Sequence, residues 1–217
     1  MEDFQTTASI KYSWSSLKAI EPRFEKTMVD VFNLDLVDLG KQCLDLNPVV
    51  LNVADDANPT FESIFRRSNY FRTLQNLYPL KIDEAIYSPR VTIFQNNNSV
   101  DCIPYELNLI AFRHPILNEE GHMCEDDILK LEKIIELIFQ IAYEHQHAVL
   151  ILGGWKNNPI DVAHAFKRMM NRHIGAFRAI FFAIKSDNSD LNEIDNNFEI
   201  FKLILVNQCE REHVSLV

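Results

Sequence analysis

The chain has 217 residues, 47% of them hydrophobic and 24% charged, the make-up of one globular domain able to bury a sizeable core. Its net charge of −10 works against nucleic acid as the main partner, because an acidic surface repels a phosphate backbone. Only five glycines occur, at 40, 121, 153, 154 and 175, too few for an elaborate loop whose backbone N–H groups must approach an anion closely.

Residues 1–15 are polar and are expected to form a flexible N-terminal segment, with no apolar run to make a signal peptide; residues 16–217 are expected to form the single domain. Leu17, Ile20, Phe24, Met28 and Val31 recur at helical spacing and predict a helix over 16–32, with Pro22 tolerated near its start. Residues 34–46 suit either a short helix or a strand. The apolar run 49–54 closes on a polar turn and predicts a buried strand. Residues 61–77 predict an amphipathic helix whose apolar contacts are Phe61, Ile64, Phe65, Tyr70, Phe71 and Leu74. Residues 85–95 predict a strand, 96–99 a turn rich in asparagine, and 100–103 the returning strand.

The second half is more regular. Residues 125–145 form the clearest helical pattern, with Ile128, Leu131, Ile134, Ile135, Ile138 and Ile141 on one stripe and Asp126 and Asp127 at the end where the helix dipole favours negative charge. Residues 148–152 are wholly apolar and predict a strand ending at Gly153 and Gly154. Asn158 and Pro159 suit the cap and first position of a helix reaching about 173, ended by Gly175. Residues 179–184 predict another buried strand, and 198–207 a last helix or strand. Helix and strand alternating in this way predict an α/β fold with a largely parallel sheet covered on both faces. Ligands of such sheets bind at the carboxyl ends of strands, which singles out the loops 55–60 and 153–158.

Around those loops stand Val50-Leu51-Asn52-Val53-Ala54, Arg66-Arg67-Ser68-Asn69, Tyr78-Pro79-Leu80 and Ala85-Ile86-Tyr87-Ser88-Pro89. Further on come Val149-Leu150-Ile151-Leu152-Gly153-Gly154-Trp155, Asn158-Pro159, Phe181-Phe182-Ala183-Ile184 and Asn197-Phe198-Glu199-Ile200-Phe201. In order and spacing these resemble the microbial-type poly(ADP-ribose) glycohydrolase family of macrodomains, over residues 24 to 205. The resemblance implies a three-layer α/β/α macrodomain-like fold with a mixed, largely parallel central sheet.

The departures from the family lie on the ligand side. Where the family carries asparagine-proline, a glycine run and then Gln-Glu-Glu, Asn58-Pro59 here leads directly to Thr60-Phe61-Glu62-Ser63. Glu62 lines up with the last glutamate, the family's acid, but its neighbour is Phe61. In the second loop Gly153-Gly154-Trp155-Lys156 runs almost straight into Asn157-Asn158-Pro159, without the phosphate-embracing turn. The implied reading is a catalytically inactive relative, with Glu62 a vestigial acid, that serves as an interaction or scaffolding module for protein partners of unknown identity. A homodimer would cover apolar surface left by loop loss. The missing glycines argue against ADP-ribose as ligand. The alternative is a retained ADP-ribose or nucleotide reader, or a weak ADP-ribosyl glycohydrolase, using a residual set of Asn52, Asn58, Gly153, Gly154, Trp155 and Asn157.

Each candidate has a plainer reading. Glu62 suits a first-turn helix carboxylate facing the dipole. Gly153 and Gly154, with Lys156 nearby, suit either an anion site at a helix N-terminus or a tight strand-to-helix turn. Arg66, Arg67 and Arg72 suit a local basic patch or, more plainly, a solvated helix face or a salt-bridged pair. Phe61 and Phe65 suit the filling of a former pocket or an exposed aromatic patch. His122 with Cys124, and His145 with His147, each supply two groups where zinc takes four, so no metal or other cofactor is expected, and the histidines are read as surface or helix-end residues. Cys43, Cys102, Cys124 and Cys209 form no C-x-x-C pair and suit reduced thiols of an intracellular protein, nuclear or cytoplasmic. No run of apolar residues is long enough to suggest a membrane span.

Overall fold

In the computed structural model, which describes residues 7–14, 19–54, 63–74, 77–94, 103–113, 123–153, 158–185 and 197–206, the chain begins with β1 (Ile10–Ser13), β2 (Met28–Phe32), α1 (Leu36–Gln42) and β3 (Pro48–Ala54). Two four-residue helices follow, α2 (Ser63–Arg66) and α3 (Tyr70–Thr73), then β4 (Glu84–Ile93) and β5 (Tyr105–Arg113). The last third is α4 (Glu125–Glu144), β6 (Val149–Gly153), α5 (Pro159–Arg172), β7 (Ala179–Ala183) and α6 (Asn197–Leu205).

Strands β6 and β7 have no polar face and are buried throughout. Such strands are stable only where helices cover both sides of a sheet. The sheet has the order β1-β4-β5-β3-β6-β7-β2. β5, β3, β6, β7 and β2 are mutually parallel, while β4 runs antiparallel to both β5 and β1. Alternation along each strand sorts the side chains into two cores. Leu51, Ile110, Leu152 and Phe182 face α4, α5 and α6; Val50, Leu109, Ile151 and Phe181 face α1, α2 and α3. This is the three-layer α/β/α fold with a mixed, largely parallel sheet that the resemblance implied.

Several local expectations are corrected. Residues 10–13, within the stretch read as loose, pair with β4 and make one edge of the sheet. The helix expected over 16–32 is not formed by the described residues 19–32: Met28–Phe32 is instead the other edge strand, paired with β7. Residues 34–46 resolve as α1 followed by a 3-10 turn at Leu44–Leu46. The single helix expected over 61–77 is broken between α2 and α3, because Ser68 bridges to Ile93 of β4 and its hydroxyl takes the Ile64 carbonyl, 2.6 Å away. Phe71 is consequently exposed, not a core contact. The strand returning to β4 begins at Tyr105; Ile103, in the stretch read as that strand, is 88% exposed. Residues 198–207 resolve as helix, α6.

Candidate site at the carboxyl ends of β3 and β6

β3 and β6 are neighbours in the sheet, yet the chain leaves them in opposite directions. From β3 it passes to α2 and α3 on one face and on toward β4; from β6 it passes through α5 on the other face to β7. Two neighbouring parallel strands whose connections diverge open a crevice at their carboxyl ends, and open α/β sheets bind ligands there.

Asn52 stands at that crevice. It follows Val50 by one strand repeat, so it shares the α1–α3 face, beside Ala111 of β5. The side chain is 8% exposed, and its Nδ2 is buried with no hydrogen-bond partner among the described residues. An amide buried in this way ordinarily has a partner, and leaving it without one costs about 1–3 kcal/mol. Gly153 lies as far beyond the last β3–β6 pair, Val50 with Ile151, as Asn52 does. A Cβ on Gly153 would stand 3.2 Å from Cδ1 of Leu36. The missing side chain therefore lets the first residue of α1 close down on the end of β6.

The start of α1 is firmly held. Asp35 caps it, accepting from the amides of Val37 at 2.9 Å and Asp38 at 3.4 Å. The same Oδ1 accepts from Nη2 of Arg67 at 3.0 Å. Arg67 is 5% exposed and ion-paired, as the salt-bridged reading has it, while Arg66 and Arg72 face solvent. Phe65 is buried and stacks on Tyr70 with ring centroids 5.0 Å apart. It is a core residue of the α1–α3 layer and not part of an exposed aromatic patch. Asn158 occupies the cap position of α5 with φ 50° but makes no side-chain capping bond; Pro159 follows as expected.

Of the residues singled out from sequence, Asn52 and Gly153 come together in the crevice. Asn58, Glu62, Gly154, Trp155 and Asn157, with Phe61 and Lys156, lie outside the described residues. Sequence reading placed Arg67 near this neighbourhood, in the Arg66-Arg67-Ser68-Asn69 segment, but missed Asp35 and Leu36. Of these two, Asp35 carried a signal, an acidic residue directly ahead of an apolar pair, which suits a helix cap.

The histidine pair belongs to the opposite pole of the sheet. His145 caps the end of α4, and its Nε2 lies 2.8 Å from the Tyr12 hydroxyl. His147 is buried, with Nε2 2.9 Å from the Tyr87 hydroxyl and Nδ1 3.0 Å from the Asn47 carbonyl oxygen; its surface reading is corrected. Tyr87 stacks on His145 with centroids 3.7 Å apart. Burial pushes His147 down to about 4, the Asn47 contact opposing it, and pushes Tyr87 up to about 12. A cleft of about 400 Å³ lies beside His147, Arg23 and Phe24. No group of three or more His, Cys, Asp or Glu side chains suited to a metal ion occurs among the described residues. Cys43 is buried and Cys124 exposed, both as free thiols. No helix among the described residues is long and apolar enough to cross a membrane.

The three-layer α/β/α fold with a mixed seven-stranded sheet is macrodomain-like, as its match to solved structures shows. No known family profile and no curated protein matches the sequence. Solved structures do match the fold. Poly(ADP-ribose) glycohydrolase from Deinococcus radiodurans in complex with ADP-ribose superposes with a TM-score of 0.76 at 19% identity, covering 93% of this chain and 95% of that one. Its apo form gives 0.74 at 20% identity, covering 93% of each chain. The glycohydrolase from Thermomonospora curvata gives 0.72 at 19% identity, covering 90% of this chain and 85% of that one. The expectation that the chain is not an enzyme is thereby corrected: its neighbours in fold are glycohydrolases.

Proposed function

We propose that the chain binds an ADP-ribose unit in the β3–β6 crevice and acts on it as an ADP-ribosyl glycohydrolase. The observation that carries this reading is the buried amide of Asn52, without a partner among the described residues, at a place in the sheet where neighbouring connections diverge. An orphaned N–H₂ group at a crevice costs stability unless an arriving oxygen accepts from it. A ribose hydroxyl or a diphosphate oxygen supplies such an acceptor. The likeness in fold to glycohydrolases, one of them solved with ADP-ribose, supports the choice of ligand. In this reading Asn58, Gly153, Gly154, Trp155 and Asn157 form the remainder of the site. Glu62 is the carboxyl that donates a proton to the leaving group as the glycosidic bond breaks. The short loops cost positioning, so turnover is expected to be slow.

The test is calorimetric titration of the whole chain with ADP-ribose, alongside Asn52→Leu. Saturable binding that falls by about tenfold in Asn52→Leu, with no loss of thermal stability in the variant, supports the reading. Glu62→Gln should then keep affinity and lose release of ADP-ribose from a modified peptide. No saturable binding up to about 1 mM would overturn the reading and leave a protein-docking domain in its place.

A further inference from the structure

We propose that the part-buried Asp35–Arg67 pair is a positioning device that sets the separation between the two strand exits forming the crevice. The inference rests on the reading of that crevice as the ligand site.

Three links make the brace. Arg67 directly follows α2, the element by which the chain returns after leaving β3. Its amide bonds to the Ile64 carbonyl at 3.3 Å, and its own carbonyl accepts from Phe94 at 2.9 Å, so its backbone is pinned both to α2 and to the end of β4. Its guanidinium reaches Asp35 Oδ1 at 3.0 Å. Asp35 in turn is the cap of α1, and the next residue, Leu36, lies over Gly153 at the end of β6. One ion pair thus joins the return from the β3 exit to the β6 exit across a crevice that has no backbone pairing of its own beyond Val50 and Ile151.

Burial on the arginine side gives the pair its leverage. The Arg67 side chain is 6% exposed and that of Asp35 22%, so the guanidinium cannot be released to water cheaply, and losing its carboxylate leaves a buried charge uncompensated. A surface pair would yield to solvent and salt and could not fix a distance. Arg67 therefore acts on the ligand only through the elements it holds.

Asp35→Asn separates the two duties of Asp35, since asparagine caps a helix as well as aspartate does but carries no charge. Arg67→Lys keeps the cation, and Arg67→Gln removes it. Two measurements are made on the whole chain: ADP-ribose titration, and amide hydrogen exchange of the unliganded protein. Expected are affinities about tenfold weaker in Asp35→Asn and Arg67→Gln, recovery to within about threefold in Arg67→Lys, and faster exchange at the Arg67 and Phe94 amides with α4 unchanged. Wild-type affinity in both charge-removing variants would overturn the proposal. If the wild-type chain itself takes no ADP-ribose, the functional reading fails separately. The brace is then decided by exchange alone: unchanged protection at Arg67 and Phe94 in Asp35→Asn overturns it, and faster exchange there upholds it.

Discussion

At the scale of single residues, burial decides behaviour more than residue type. Asn52 and His147 are both polar and almost wholly enclosed, yet they differ in what surrounds them. Both ring nitrogens of His147 are occupied, one by Tyr87 and one by the Asn47 carbonyl. It is held neutral, with its protonation pushed down to about 4 mainly by burial. In the unfolded chain it titrates near 6.5. Between those values the unfolded state binds the extra proton, so stability contributed above pH 6.5 is lost as pH falls toward 4, by about 3 kcal/mol. Urea unfolding between pH 7 and pH 4.5 should show a shallower pH dependence for His147→Gln than for wild type. Equal slopes would contradict this account. Asn52, by contrast, keeps an N–H₂ group with nothing to donate to. The sequence places it at a strand end facing a loop, which marks it as a site candidate, but its lack of a partner is visible only in three dimensions.

At the scale of elements, short pieces are held by a few backbone contacts, and one of these rests on a glycine. Gly175 has φ 79°, and a Cβ there would collide with the Phe24 carbonyl oxygen. Its own carbonyl accepts from the amides of Arg23 at 2.7 Å and Phe24 at 2.8 Å, docking the segment ahead of β2. Gly175→Ala combines a strained backbone with a clash against main chain. It is expected to destabilise by about 2 kcal/mol or more, measured by urea unfolding; a change below about 0.5 kcal/mol would show that the turn relaxes freely. The legibility of each element follows from its length and burial. α4 repeats its apolar stripe over twenty residues, and β6 is apolar throughout, so both were readable. β2 is five residues long, and the apolar residues in and ahead of it also fit helical spacing. Its strand state comes from pairing with β7, whose partner residues lie 151 positions away. The break between α2 and α3 has the same cause, a long-range bridge from Ser68 to Ile93 overriding a helical pattern. The Asp35–Arg67 pair joins residues 32 apart, and no local pattern announces it. The free edge at β2 is protected: alternation turns the Val31 amide outward, and the adjacent Asp30 carboxylate accepts from it at 2.8 Å. An incoming strand would meet a charge where it needs a donor.

At the scale of the whole molecule, order and charge set the terms on which a ligand arrives. The net charge is −10, and ADP-ribose carries a diphosphate, so long-range forces oppose their encounter. Added salt shortens the reach of that repulsion to about 10 Å at 0.1 M. Association of ADP-ribose should therefore quicken as ionic strength rises from a few millimolar toward the physiological range, as followed by stopped-flow mixing. A rate that falls with salt would reveal a positive local field at the crevice strong enough to outweigh the overall charge. The fold itself was legible from the alternation of helix and strand, because a largely parallel sheet covered on both sides is the stable outcome of that order.

The divergence of the chain at β3 and β6 has a consequence for how the molecule can change. Each exit returns to its own helical layer, but α2 is tied through Asp35 and Leu36 to the end of β6, so a segment inserted or trimmed at one exit is felt at the other. The crevice is in effect a socket whose two inserts share one fastening. New binding specificities can be grafted into it on a scaffold whose interior need not be redesigned, provided that fastening is kept.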